Sequence, residues 1–204
     1  MHMPKTAGIS VSNLLLAKAT ETTFFSEIRQ SMGGRFGVHV EGVRHETLFH
    51  AEAYFRRWNK SILDFEKILV TMRNPYDMDL SQYSYFRKVG HEQDVGPEGR
   101  IALNHTFREY LETAPFKGEF PPRLDKFFHV LGKIPPNLAV LRFERLNEDL
   151  RRHASPFLTD VALPHDNRSE HLPYEEIFDA QLEELCYRRN RWFFDNGYYP
   201  RLQF

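Results

Sequence analysis

The sequence predicts an α/β fold in which a mainly parallel central sheet is flanked by helices. Three observations carry that expectation. Short runs rich in apolar and β-branched residues, at 67–73 and 138–143, alternate with stretches whose apolar residues recur at helical spacing. The first run is stopped by Asn74-Pro75 and passes into a helical pattern, the strand-to-helix order of a parallel sheet. A glycine-containing loop, Pro4 to Ser10, feeds another helical pattern in which Val11, Leu14, Leu15 and Lys18 share a face. With 204 residues, 41% of them hydrophobic, and no linker, residues 1–204 read as a single domain around one core.

Taken in order, the first helix follows Pro4 to Ser10, with Ser10 suited to the N-cap. Residues 35–41 read as a second strand because Phe36, Val38 and Val40 alternate. Lys67 to Arg73 forms a buried strand, and Pro75 opens a helix to about Lys88. Residues 90–100, with several glycines and polar side chains, read as a surface loop able to shape a site. Further helical patterns cover about 103–112 and 123–131, a strand covers 138–143, and a long last helix runs from about Tyr174 to Phe194.

Composition narrows the classes. Twenty-seven basic against 28 acidic residues leave a formal charge of −1, so no overall field recruits nucleic acid or an anionic membrane. The single cysteine, Cys186, lies at an apolar position of the last helix and reads as core. The sequence has neither a long apolar span nor a signal-peptide pattern, so the expectation is a soluble, cytoplasmic protein with no membrane span. An excised lumenal catalytic domain fits the same residues.

The chemistry is concentrated in the opening loop. Gly8 permits close backbone approach to an anion, the following helix offers open amides and the positive end of its dipole, Lys5 adds charge, and Thr6 and Ser10 add hydroxyls. A nucleotide kinase would carry Gly-x-x-x-x-Gly-Lys-Ser/Thr, with the lysine after the second glycine; here Lys5 precedes Gly8 and Gly-Lys-Ser/Thr is absent. Arg73 is expected at the carboxyl end of its strand, where ligands bind in open α/β sheets, with Ser81 about two helical turns on.

Pro-Lys-Thr-Ala-Gly-x-Ser at Pro4 to Ser10 resembles the phosphosulfate loop of sulfotransferases that use 3'-phosphoadenosine 5'-phosphosulfate (PAPS), in its carbohydrate-sulfotransferase form. Arg73-Asn74-Pro75 with Ser81 is similar to that family's 3'-phosphate motif, Arg-Asn/Asp-Pro-x-x-x-x-x-Ser. Residues 138–146 resemble its later strand and aromatic-Glu-x-Leu step, and 163–171 its loop over the nucleotide. The end, Trp192-Phe193-Phe194-Asp195-Asn196-Gly197-Tyr198, resembles its closing Asp-aromatic-x-x-x-Gly-Tyr signature with altered spacing.

The resemblance implies a P-loop NTPase-like version of the α/β fold, and PAPS as sulfuryl donor with no metal required. Pro4, Lys5, Thr6, Ala7, Gly8, Ile9 and Ser10 would hold the 5'-phosphosulfate, Arg73 and Ser81 the 3'-phosphate. Asn167, Arg168 and Ser169 would be secondary contacts. Lys5 would also stabilise the leaving phosphate oxygen. Gly37-Val38-His39-Val40 resembles the Gly-His-Val segment of heparan 2-O-sulfotransferases, which makes His39 the expected general base, with Glu41 and His45 as fallbacks. His2 is a structural neighbour of the nucleotide in this reading. Only Met1-His2-Met3 precedes the loop, so the family's first strand reads as truncated.

The acceptor is expected to be a hydroxyl compound of carbohydrate type, with no nucleic acid involved. Arg56, Arg57, Trp58, Lys60, Tyr83, Tyr85, Phe86 and Arg87 would suit sugar contacts but suit amphipathic helices better. Two rivals stand beside a sulfotransferase: a non-catalytic nucleotide-binding protein that kept the pocket, and a P-loop kinase.

Overall fold

The computed structural model describes every residue except 1–2, 21, 26–36, 40–44, 92–93, 117–118, 120–121, 162 and 164–170; at 23–25 and 37–39 it describes the backbone alone. Helix α1 (Gly8–Lys18) is followed by strands β1 (Thr23–Phe25) and β2 (Gly37–His39), helix α2 (Leu48–Arg57) and strand β3 (Ile68–Met72). Helices α3 (Pro75–Val89), α4 (Gly96–Asn104) and α5 (Phe107–Thr113) precede strand β4 (Leu138–Arg142) and helix α6 (Leu146–Ala154). Helices α7 (Tyr174–Ile177) and α8 (Ala180–Asp195) end the series. The protein is thus mixed α/β. No helix among the described residues is long and apolar enough to cross a membrane.

The chain divides into two compact units, residues 1–73 with 126–167 and residues 74–125 with 168–204. The first holds the strands. Both strand pairings are parallel, β1 with β2 and β3 with β4, the latter in the register Ile68↔Leu138 through Met72↔Arg142. The expected parallel pairing is present, but as two separate two-stranded sheets among the described residues. In β3, Ile68, Val70, Thr71 and Met72 are all buried, as its continuous apolar run requires. Val11 and Leu14 of α1 pack with Leu141, Leu146, Leu150, Ala154 and Leu158, so one apolar cluster joins α1, β4 and α6. The far end of α1 is pinned by Thr20 N donating to Phe157 O and Thr159 N to Lys18 O.

The second unit is helical. Tyr76, Phe86, Ala102, Tyr110, Leu111, Phe178 and Cys186 form its core, which bears out the packing role of Cys186. Asn74 caps α3 by accepting from Tyr76 N, and Pro75 occupies the first turn. Thr106 and Glu109 form a capping box at α5.

Several element boundaries differ from expectation. Residues 96–100, read as loop, open α4: Pro97 sits in its first turn and Glu98 supplies a first-turn carboxylate, both helix-starting signals. The single helix expected over 103–112 is two, because the capping box at Thr106 restarts the chain. Residues 123–131 yield only a 3₁₀ turn at Leu124–Phe127. The long last helix is interrupted before α8, where Asp179 accepts from Gln181 N and Leu182 N as a new N-cap.

Candidate functional site

The opening loop and the end of β3 lie together in the first unit. Lys5 and Ala7 both take the left-handed backbone conformation, with φ of 61° and 58°. For residues with a Cβ this costs on the order of 1 kcal/mol each. Left-handed Ala7 followed by helical Gly8 is the arrangement that turns successive N–H groups toward one centre, an anion-binding concavity.

Helix α1 begins at Gly8 with Ala7 as its N-cap, so Ser10 is a buried residue of the first turn and not the cap expected of it. The left-handed turn at Ala7 starts the helix three residues earlier than the serine suggests. Ala7 offers no capping side chain, and the first turn of α1 carries no acidic residue. The first turns of α3, α4, α5, α6 and α8 each carry at least one. The positive end of α1, like that of α2, therefore has no first-turn carboxylate of its own. Pro4 is partly buried, Gly8 is buried, and Ile9 is exposed in the first helical turn.

Thr6 is fully buried, and its hydroxyl is engaged within the protein. It donates to Met3 O at 2.7 Å and lies 2.6 Å from Thr71 Oγ1. What Thr6 offers a ligand is consequently its backbone, not the hydroxyl its sequence position suggested.

Arg73 follows β3 directly and is 6% exposed. Its Nη1 donates to Lys5 O at 2.9 Å, and its guanidinium lies 4.2 Å from the centre of the Phe143 ring, a cation–π contact. Phe143 belongs to the turn after β4, and sequence reasoning assigned it no site role. Burial, and then the positive charge of Arg73, hold the Lys5 amine below its ordinary value of 10.5. Two cations and a helix N-terminus thus gather around one loop, a field that favours a multiply charged anion.

Ser81 lies in the second unit, fully buried on α3. His39 is the last residue of β2, and only its backbone is described. His45 has φ of 60° just before α2, whose N-cap is Thr47. His2, Glu41, Asn167, Arg168 and Ser169 lie outside the described residues.

The second unit holds a buried polar cluster that the sequence did not disclose. Arg189 Nε lies 3.2 Å from Asp79 Oδ1 and its Nη2 3.3 Å from Glu98 Oε1, and it also donates to Ala114 O. Asn190 donates to Asp79 Oδ2 at 2.6 Å, and Tyr110 Oη donates to Glu98 Oε1 at 2.7 Å. Burial raises both carboxyls, Glu98 to about 7, against the opposing pull of Arg189. With Asp79, Arg189 and Asn190 buried and Glu98 partly so, this cluster reads as structural. The chain matches no family model, no curated protein and no solved structure.

Proposed function

We propose that the protein is a PAPS-dependent sulfotransferase with a P-loop-like α/β fold, acting on a hydroxyl acceptor of carbohydrate type. The observation that carries this reading is the convergence of Lys5 and Arg73 on the loop before α1, with Arg73 bonded to the Lys5 carbonyl. A guanidinium forks its five donors, so it can serve a loop carbonyl and an anion at once. The left-handed loop and the first-turn amides of α1 suit a 5'-phosphosulfate, and Arg73 suits a 3'-phosphate.

In the reaction, the acceptor oxygen attacks sulfur and the bond from sulfur to the 5'-phosphate oxygen breaks in line. The acceptor proton passes to a base, for which His39 is the candidate. 3'-Phosphoadenosine 5'-phosphate (PAP) leaves. Charge grows on the former bridging oxygen, where an ammonium and fixed amides stabilise the transition state more than the ground state. Lys5 fits that task because it is partly buried beside a second cation, so a new negative charge there is strongly favoured.

Radiolabelled PAPS incubated with a panel of polysaccharides tests the reading. Label should move to polymer in the wild-type protein and fail to move in Lys5→Ala, while Lys5→Ala still binds PAP. PAP binding with no transfer to any acceptor would leave a binding protein instead.

A further inference from the structure

The hydroxyl of Thr71 has no part in the proposed chemistry, yet it is bonded to the loop that would perform it. Thr71 is the fourth residue of β3, 2% exposed between Val70 and Met72, and pairs in register with Leu141. A valine would fill the same volume, and a buried hydroxyl is unfavourable unless hydrogen-bonded. Its partner is Thr6, at 2.6 Å.

The direction of that bond follows from the neighbouring one. Met3 O is a carbonyl and can only accept, so the single hydroxyl proton of Thr6 is committed to it at 2.7 Å. Thr71 must then donate to Thr6. The relay Thr71 to Thr6 to Met3 O links the strand to the backbone on the near side of the loop, across 65 residues of sequence. Its middle member lies between Lys5 and Ala7, the two residues held in the left-handed conformation. A strained backbone persists only where its surroundings over-determine it, and this relay is buried throughout.

We propose that Thr71 is a positioning residue for the anion site: its hydroxyl, acting through Thr6, holds the left-handed loop in the shape that aims its amides at the ligand. The inference rests on the nucleotide reading for the ligand's identity, but its structural part stands without any ligand.

Two variants separate the hydroxyl from the packing. Thr71→Val keeps shape and removes the donor; Thr71→Ser keeps the donor. Amide hydrogen exchange on the unliganded proteins should show Val11, whose N–H donates to Ala7 O, exchanging at least about tenfold faster in Thr71→Val, with Leu14 and Leu15 of α1 unchanged. Thr71→Ser should match the wild type. Unaltered exchange at Val11 in Thr71→Val, or equal acceleration in both variants, overturns the proposal whether or not the protein binds nucleotide.

Calorimetry with PAP and with adenosine 3'-phosphate supplies the second readout. Thr71→Val should lose about tenfold in affinity for PAP and little for adenosine 3'-phosphate, with Thr71→Ser unaffected. Equal losses for the two ligands would overturn the assignment to the loop. Absence of PAP binding by the wild type would instead count against the nucleotide reading, leaving the exchange result to decide the role of Thr71.

Discussion

Arg73 Nη1 donates to Lys5 O at 2.9 Å, joining two residues 68 positions apart at the mouth of the first helix. One side chain thereby holds the loop and brings a second positive charge to it. The guanidinium carbon also stands 4.2 Å from the centre of the Phe143 ring. A lysine cannot reproduce this combination, since an ammonium has no planar fork. Arg73→Lys should therefore weaken PAP binding nearly as much as Arg73→Ala, by roughly 2 kcal/mol, the value of a charge-assisted hydrogen bond. The loss should be much smaller for adenosine 5'-phosphate, which lacks the 3'-phosphate. Calorimetry with both ligands checks this, and equal losses would remove Arg73 from the 3'-phosphate.

Lys5 predicts a pH dependence. Burial and Arg73 lower its value in the folded protein beneath the ordinary 10.5. Between the lowered and the ordinary value the unfolded chain binds the proton that the folded one releases. Stability of the unliganded protein attributable to Lys5 should rise with pH across that alkaline window. PAP affinity should fall over the same window, as the ammonium that meets the phosphate is lost. Lys5→Met should abolish both trends, as read by denaturant unfolding and by titration with PAP.

Glu98 carries a separate dependence. Burial raises its carboxyl from 4.5 to about 7, with Arg189 and the Tyr110 hydroxyl opposing. Since the folded form holds this proton more tightly, its contribution is fully present below pH 4.5 and is lost as pH rises through about 7. At about 1.4 kcal/mol per unit, the change is on the order of 3 kcal/mol. Glu98→Gln keeps an acceptor for Tyr110 and cannot ionise. Its stability relative to wild type should increase between pH 4.5 and 8, as followed by chemical denaturation; a parallel pair of curves would contradict the shift.

Arg189 is the one cation within hydrogen-bond reach of both Asp79 and Glu98 among the described residues. Arg189→Leu leaves two buried carboxyls without it and strands the Ala114 carbonyl. A loss of about 3–5 kcal/mol is expected at neutral pH, easing in acid as the carboxyls take up protons. Urea melts at two pH values measure this.

The strands that sequence exposed best are those with a local signal. Ile68 to Met72 is continuous in its apolar character and closed by Asn74-Pro75, and it forms β3 with both faces largely buried. Helix α3 is equally legible because Pro75 sets its start. What the sequence conceals depends on distant partners. The cluster around Arg189 joins residues about 110 positions apart, so Arg189 and Asn190 look like the solvent face of α8 until Asp79 is brought to them. Thr6 looks like a ligand donor because its engagement depends on Thr71, 65 residues away. Left-handed Lys5 and Ala7 were hidden for another reason: only glycine advertises that conformation in sequence, and Gly8 does not adopt it.

Calorimetric titration of the full chain with PAP in metal-free buffer, with ATP plus magnesium as the control, decides whether the loop and Arg73 form a nucleotide site. Micromolar binding that needs no metal and fades when the 3'-phosphate is removed is the expected result. A folded protein that ignores PAP, or that binds ATP with magnesium in preference, would contradict it.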